Sequence, residues 1–208
     1  NQLQAEYKDK IKIKISLEMG IDLRVKSEIN QFIDSAPFDF VIASVNEIGD
    51  IEVYDGTEFY LQKTKEEAQR EYLLACLDVV QNFENYNSFG HLDYVARYGP
   101  YTDKSIKFAE NREILFEILR ALASKEKALE INTRLFDDPK TEQFYSDLLI
   151  NFKRLGGKFI TLGTDSHIAK RDWLSIHKAR TLIKKAGFHE LATFSGMKID
   201  KNKKSIKE

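Results

Sequence analysis

The sequence lacks the disulfides that stabilise many extracellular proteins and the long apolar segments that anchor membrane proteins. A single cysteine, Cys76, among 208 residues excludes a disulfide within the chain and favours a reducing, cytoplasmic setting. No apolar run approaches the roughly 20 residues that cross a bilayer, and no signal-peptide pattern opens the chain. The chain starts at Asn1 without an initiator methionine, which favours a fragment or a trimmed chain.

The chain also lacks an excess of charge of either sign. Its 32 Lys and Arg residues nearly balance its 33 Asp and Glu residues, for a net charge of -1. We therefore expect neither nucleic acid nor an anionic membrane as a partner. A composition of 42% hydrophobic and 31% charged residues is typical of a globular protein. We expect one domain over residues 1–208, with a flexible lysine-rich tail at about 198–208, present as a monomer or homodimer.

Apolar segments with the length and pattern of strands alternate with segments of helical periodicity. The strands are predicted at residues 10–17, 38–45, 88–95, 128–132 and 159–163. Between them, Thr64 and Glu67 form a capping box before a long helix, and Pro139 opens another helix that ends at Gly156. This alternation predicts an α/β fold with a parallel sheet or barrel.

Polar side chains that could bind a metal or move a proton stand at the end of every predicted strand. In chain order they are Glu18, Asn46 with Glu47, His91 with Asp93, Glu130 with Asn132, and Asp165 with His167. In parallel βα folds the chemistry takes place at the carboxyl ends of the strands. We therefore expect these side chains to converge on one site.

Asp165 and His167 follow the last strand in the segment FITLGTDSH. Side chains two residues apart in extended structure point the same way, so this pair could face one point. The same residues also fit an exposed loop acid beside an ordinary histidine. Likewise, His91 and Asp93 could be a hydrogen-bonded pair, and Glu18 could be a solvated acid.

Imidazoles and carboxylates that converge at a barrel mouth suit zinc, iron or manganese. Clustered metals activate water and hold the oxygens of a phosphate, so hydrolysis of a phosphate ester is the reaction indicated. Arg97 and Arg134 stand near the same mouth and could hold phosphate oxygens through two hydrogen bonds. Pairing with a surface acid is an alternative for Arg134, and Lys170 and Arg171 are weaker phosphate candidates.

Five segments, LEMGID, FDFVIASV, FGHLDYVARYG, LEINT and ITLGTDSH, resemble the later motifs of the PHP (polymerase and histidinol phosphatase) superfamily. The resemblance extends from Ile11 to Gly187 and is greatest to the histidinol-phosphatase branch. It implies a distorted (β/α)7 TIM-like barrel with up to three divalent metal ions. It also implies hydrolysis of L-histidinol phosphate to L-histidinol and phosphate in histidine biosynthesis.

The resemblance also implies roles for individual residues. Glu18, His91, Asp165 and His167 match metal ligands, with Asp165 also a candidate for proton transfer. Arg97 matches the residue that binds phosphate, and Glu130 matches an acid that supports the ligands or contacts the substrate.

The chain departs from the family pattern in two places. The His-x-His of the first motif would precede the first strand and is absent, and Asn46 stands where the family has His. We therefore expect one or two βα units, roughly 50 to 70 residues, to be missing before Asn1. Asn46 is then a degenerate ligand position, because an amide oxygen is a poor ligand for zinc or iron.

Two other functions remain open. A degenerate barrel could bind a phosphorylated metabolite or a protein partner without catalysis, and Asn46 favours this alternative. A nucleic-acid enzyme of the same superfamily is disfavoured by the balanced charge.

Overall fold

The computed structural model describes residues 2–54, 58–168, 172–200 and 204–206. The helices are α1 Gln2–Glu6, α2 Lys26–Asp34, α3 Lys65–Asn82, α4 Tyr94–Tyr98, α5 Arg112–Ser124, α6 Pro139–Arg154 and α7 Trp173–Lys185. The strands are β1 Ser16–Gly20, β2 Phe40–Ser44, β3 Glu47–Ile48, β4 Ile51–Glu52, β5 Ser88–Phe89, β6 Ala128–Asn132, β7 Ile160–Gly163, β8 Glu190–Leu191, β9 Phe194–Ser195, β10 Lys198–Ile199 and β11 Lys204–Ser205.

A parallel sheet with the strand order β1-β2-β5-β6-β7 forms the centre of the structure. Its register pairs Gly20 with Ser44 and Asn132 with Gly163, so the carboxyl ends of all five parallel strands lie at the same end of the sheet. The α/β class predicted from the sequence is therefore confirmed.

The helices begin and end where local sequence predicts. Thr64 and Glu67 form the predicted capping box at the start of α3. Asp138 caps α6 through the backbone N–H of Lys140, and Pro139 takes the first helical position. Gly156 follows α6 with a φ of 88°, a left-handed conformation that glycine adopts without steric cost.

The large helices cover the sheet with apolar side chains. Fully buried side chains of these helices include Tyr72 of α3, Leu115 of α5, and Tyr145 and Phe152 of α6. This packing holds the strands, and with them the loops at their carboxyl ends. Among the described residues, no helix is long and apolar enough to span a membrane.

The first strand begins later than predicted. β1 starts at Ser16, because Ser16 is the first residue with a partner, Phe40, on β2. Residues 10–15 therefore precede the sheet, and Ile11 is exposed. The Lys-Ile alternation in this segment has the period of a strand, but a strand also needs a neighbour to pair with.

The third predicted strand is also shorter. Only Ser88–Phe89 pairs with the sheet, and the chain then turns through His91 into the short helix α4. Between β2 and α3, the chain forms the hairpin of β3 and β4 and a short 3-10 helix at Glu58–Tyr60.

Part of the segment predicted as a flexible tail from residue 198 lies in short strands, and its flexibility stays a prediction. β10 pairs with β9 and β11 pairs with β8, while Ile206 is buried. Ile199 and Ile206 give this lysine-rich segment the apolar side chains that its packing requires.

β1 and β7 are the two edges of the five-stranded sheet. A cavity of about 960 Å³ lies between them, lined by Ser16 of β1 and by Thr161 and Leu162 of β7.

Candidate active site

Glu18 and His91 meet at the carboxyl end of the sheet. Glu18 lies in β1 and His91 follows β5, and the distance from His91 Nε2 to Glu18 Oε1 is 2.8 Å. The His91 side chain is 2% exposed, whereas that of Glu18 is 45% exposed. The hydrogen bond with His91 lowers the pKa of Glu18 below its usual value. A carboxylate and an imidazole are thus presented side by side, as the sequence predicts.

Glu130 of β6 lies beside this pair and is almost fully buried. Its Oε2 accepts the backbone N–H of His91 at 2.9 Å and the side-chain amide of Asn132 at 3.2 Å. Burial raises the pKa of Glu130, although the hydrogen bonds oppose that shift. A methyl group added at Gly163 would collide with Glu130 Oε1, so glycine at this position leaves room for the carboxylate.

The backbone of His91 adopts an uncommon conformation, with a φ of 21°. The carboxylate of Glu130 holds its N–H, and the hydroxyl of Tyr72 donates to its carbonyl at 3.2 Å. These contacts direct the His91 ring toward Glu18. The ring's Nδ1 is buried and has no hydrogen-bond partner among the described residues.

Asp165 lies after β7 and contacts a buried arginine. Its φ of 48° shows that the chain is not extended here, contrary to the geometry expected for the D-x-H segment. Arg97 Nη1 donates to Asp165 Oδ2. Arg97 is 4% exposed, and its Nε and Nη2 have no hydrogen-bond partner among the described residues. Burial alone lowers the pKa of Arg97, but Asp93 and Asp165 raise it overall, so the guanidinium stays charged.

His167 is the most exposed of the predicted ligands, at 75%. Its Nδ1 lies 3.6 Å from Asp165 Oδ1 and 3.1 Å from Nη1 of Arg134. Arg134 Nη1 also donates to the Asp165 carbonyl at 2.8 Å. The structure therefore brings Asp165, His167 and Arg134 together at the mouth of the site. Lys170 and Arg171 lie outside the described residues.

A second cavity of about 320 Å³ adjoins the ligand residues and is lined by Asn46, Glu47, Glu52, Tyr54 and Tyr94. The Tyr94 ring lies 5.0 Å from the His91 ring, which connects this cavity to the site. Asn46 Oδ1 accepts the Ser44 hydroxyl at 2.7 Å.

Sequence reasoning did not assign Glu52, Tyr54 and Tyr94 to the site. Glu52 ends the hairpin of β3 and β4 and Tyr54 follows it, while Tyr94 begins α4 within a segment whose pattern predicts a strand. No local sequence pattern at these positions indicates a function.

The donor types present suit a divalent transition metal, because Glu18, His91, Asp165 and His167 offer carboxylate oxygen and imidazole nitrogen. The structure holds them as two pairs, Glu18 with His91 and Asp165 with His167. Within the described ranges, no three His, Cys, Asp or Glu side chains are grouped closely enough to hold a metal ion. The chemistry fits a metal, and the residues supply part of a ligand set.

Residues 2–134 match the PHP domain. Over all 208 residues the chain is 97% identical to a histidinol-phosphatase of Lactococcus lactis subsp. lactis (strain IL1403), covering 77% of that protein. It is also 28% identical, over 156 residues, to a probable histidinol-phosphatase of Clostridium acetobutylicum, which aligns with 75% of this chain and 61% of that protein.

Among solved structures, the chain resembles the histidinol phosphate phosphatase of Lactococcus lactis in complex with zinc, L-histidinol and phosphate. The TM-score is 0.96 and the sequence identity is 98%, over 97% of this chain and 76% of that one.

Proposed function

Because the chain belongs to the PHP domain family, we propose that it hydrolyses L-histidinol phosphate to L-histidinol and phosphate with the help of divalent metal ions. The observation that carries the proposal is a buried, charged Arg97 that contacts Asp165, one of four candidate ligands held as carboxylate and imidazole pairs. The 97% identity to a histidinol-phosphatase names the substrate.

Glu18, His91, Asp165 and His167 would hold the metal. When bound, zinc supplies a Lewis acid that lowers the pKa of a coordinated water toward neutrality. Glu130 acts through His91, since its carboxylate accepts the His91 backbone N–H and thereby directs the ring toward Glu18. Groups that hold a metal-binding side chain in place contribute to metal affinity.

Arg97 would bind the phosphoryl group. A guanidinium presents N–H donors in a planar arrangement that matches the oxygens of a phosphate. Arg97 Nη1 donates to Asp165 at the mouth, whereas Nε and Nη2 are buried and have no hydrogen-bond partner among the described residues. Asp165 Oδ1, the oxygen that Arg97 does not contact, can accept a proton from the attacking water.

The cavity beside the site suits the remainder of the substrate. L-Histidinol carries an ammonium group and an imidazole, and this cavity offers the carboxylates of Glu47 and Glu52 with the rings of Tyr54 and Tyr94. Carboxylates and aromatic faces both attract organic cations. The small size of the cavity, about 320 Å³, fits an amino alcohol rather than a polymer.

In the full-length protein we propose a distorted (β/α)7 barrel in which further strands fill the gap between β1 and β7. Two observations support it: both sheet edges line one cavity of about 960 Å³, and the chain covers 77% of its Lactococcus lactis relative. The added segment would carry the His-x-His ligands that the partial set requires. The oligomeric state and the cytoplasmic location stay predictions.

One observation favours a second candidate function, binding without catalysis. Asn46 replaces a histidine of the family pattern, and its Oδ1 is already occupied by the Ser44 hydroxyl. A protein with this change could bind a phosphorylated metabolite without turnover.

Elemental analysis of the full-length protein, with phosphate release from L-histidinol phosphate assayed on the same sample, decides between the two. We expect about two to three transition-metal ions per chain, as in clustered-metal phosphatases, and release that Asp165→Asn abolishes. One ion or none, without release after manganese or zinc is added, would overturn the phosphatase proposal.

A further inference from the structure

Tyr145 is a buried tyrosine outside all five sequence motifs that nevertheless reaches the site. It lies in α6 with no exposed surface, and its hydroxyl donates to Asp93 Oδ1 at 2.8 Å. Fifty-two residues separate the two partners in sequence. Burial, followed by the charge of Asp93, raises the pKa of Tyr145, so its hydroxyl keeps the proton that it donates.

Asp93 in turn faces Arg97. Its Oδ1, the atom that accepts from Tyr145, lies 3.9 Å from Arg97 Nη2, and both side chains are almost fully buried. Asp93 immediately precedes α4 and Arg97 lies in its last turn, so one short helix sets their separation. Tyr145, Asp93 and Arg97 therefore form a continuous buried row from α6 to the site.

Arg97 thus lies between two carboxylates, Asp93 on the side of α6 and Asp165 on the side of the mouth. Asp165 is also a candidate metal ligand and belongs to the exposed loop after β7. Asp93 accepts a hydrogen bond from Tyr145 of α6, so its position does not depend on that loop. A buried guanidinium needs a fixed negative partner, because desolvation of an unpaired charge is costly.

We propose that Tyr145 and Asp93 are positioning residues that hold the Arg97 guanidinium from its buried Nη2 side, so that Nη1, beside Asp165, stays at the mouth where the phosphoryl group would bind. Tyr145 fixes the Asp93 carboxylate, and the carboxylate fixes Nη2 by charge. The inference rests on the proposed function, because it gives Arg97 a phosphate to bind. Neither Tyr145 nor Asp93 is expected to touch the substrate.

The test is a double-mutant cycle in the full-length, metal-loaded protein. Tyr145→Phe removes only the hydroxyl that donates to Asp93. Tyr86→Phe is the matched control, since Tyr86 is equally buried and its hydroxyl has no hydrogen-bond partner among the described residues. Each change is made alone and with Arg97→Ala. The readouts are kcat and KM for L-histidinol phosphate, and binding of inorganic phosphate by calorimetry.

We expect Tyr145→Phe to weaken phosphate binding and lower kcat/KM by about fivefold to tenfold, which is within the range of one ordinary hydrogen bond. Tyr86→Phe should change both by less than about twofold. In the Arg97→Ala background, Tyr145→Phe should have no further effect on phosphate binding, because residues that act through one another are not additive.

An equal loss with and without Arg97, or no loss at all, would overturn the inference. If Tyr145→Phe does not fold, Asp93→Asn replaces it in the cycle, since the amide oxygen still accepts from Tyr145 while the charge is lost. A wild-type protein that binds phosphate but releases none from the substrate would overturn the proposed function alone. The calorimetric cycle would still test the positioning role in that case.

Discussion

Two groups of candidate site residues are held in different ways. One consists of Glu18, His91 and Glu130, and the other consists of Asp165, His167 and Arg134. We refer to them as the strand-end group and the loop group. The first is anchored by the register of the sheet and by hydrogen bonds between buried groups. The second lies in a turn after β7, where the arginines provide its contacts.

The two groups are therefore suited to different roles in binding. Residues bound to the sheet keep their positions at no further cost in entropy, whereas an exposed loop must be ordered by its partners. The strand-end group is therefore suited to hold a metal ion that stays bound. The loop group, with His167 at 75% exposure, is suited to contacts that form when metal and phosphate arrive.

The largest effect that would test this contrast is a comparison of His91→Ala with His167→Ala. Both should lower phosphate release by at least about a thousandfold, since each removes a proposed ligand of an activating metal. Only His91→Ala should also lower the free energy of unfolding, by about 2 kcal/mol, because only His91 is buried. Phosphate release and chemical denaturation of the two variants are the measurements.

His189→Asn is the control for this pair, because His189 is exposed and lies in the turn before β8, outside the candidate site. It should leave both activity and stability unchanged. Equal losses of stability in His91→Ala and His167→Ala would show that the two groups are held alike.

A smaller effect is expected from the two arginines. Arg97→Ala should lower kcat/KM by about 10²- to 10³-fold, as for removal of a buried donor that faces developing charge. Arg134 is 39% exposed, so Arg134→Ala should lower kcat/KM by only about twofold to fivefold, the range of exposed charge contacts. Steady-state kinetics at two ionic strengths measure the difference, since salt should weaken only the Arg134 contribution.

The exposed Arg120, which pairs with Glu117 on α5, offers a control for loss of one positive charge. Arg120→Ala should have no kinetic effect. An Arg134→Ala variant as impaired as Arg97→Ala would contradict the assignment of phosphate binding mainly to Arg97.

The sequence predicts both the residues of the strand-end group and their position at the strand ends. For the loop group it predicts which residues belong to the site but not how they are arranged. Glu18, His91 and Glu130 each occupy or follow an apolar segment, and the end of a parallel strand fixes where such a side chain lies. Asp165 has a positive φ in this turn, and the sequence gives no sign of it because the residue is not a glycine. The paired ion contacts with Arg97 and Arg134 join residues far apart in sequence, so no local pattern contains them.

Tyr145 shows a different limit. It lies among Phe144, Leu148 and Leu149 on the apolar face of α6, where a tyrosine has the pattern of a core residue. Only the packing of α6 beside α4 reveals that its hydroxyl reaches Asp93. The strand predicted from residue 10 begins only at Ser16 for a related reason, because periodicity does not show where the partner strand begins.

A last test, on stability and metal content and not on kinetics, concerns the boundary between the two groups. Gly163 ends β7, just before the loop group, and a methyl group there would meet the buried carboxylate of Glu130. Gly163→Ala should therefore shift Glu130 and cost about 1 to 3 kcal/mol of unfolding free energy, as for overpacking of a buried site. Gly20→Ala is the matched control, since its methyl group would meet Asn46 only at an ordinary 3.8 Å. Thermal denaturation of both variants, read beside their metal content, measures the cost. If Gly163→Ala is as stable as Gly20→Ala and retains its metal, the Glu130 carboxylate can move without disturbing His91, and the strand-end group is less rigid than its hydrogen bonds indicate.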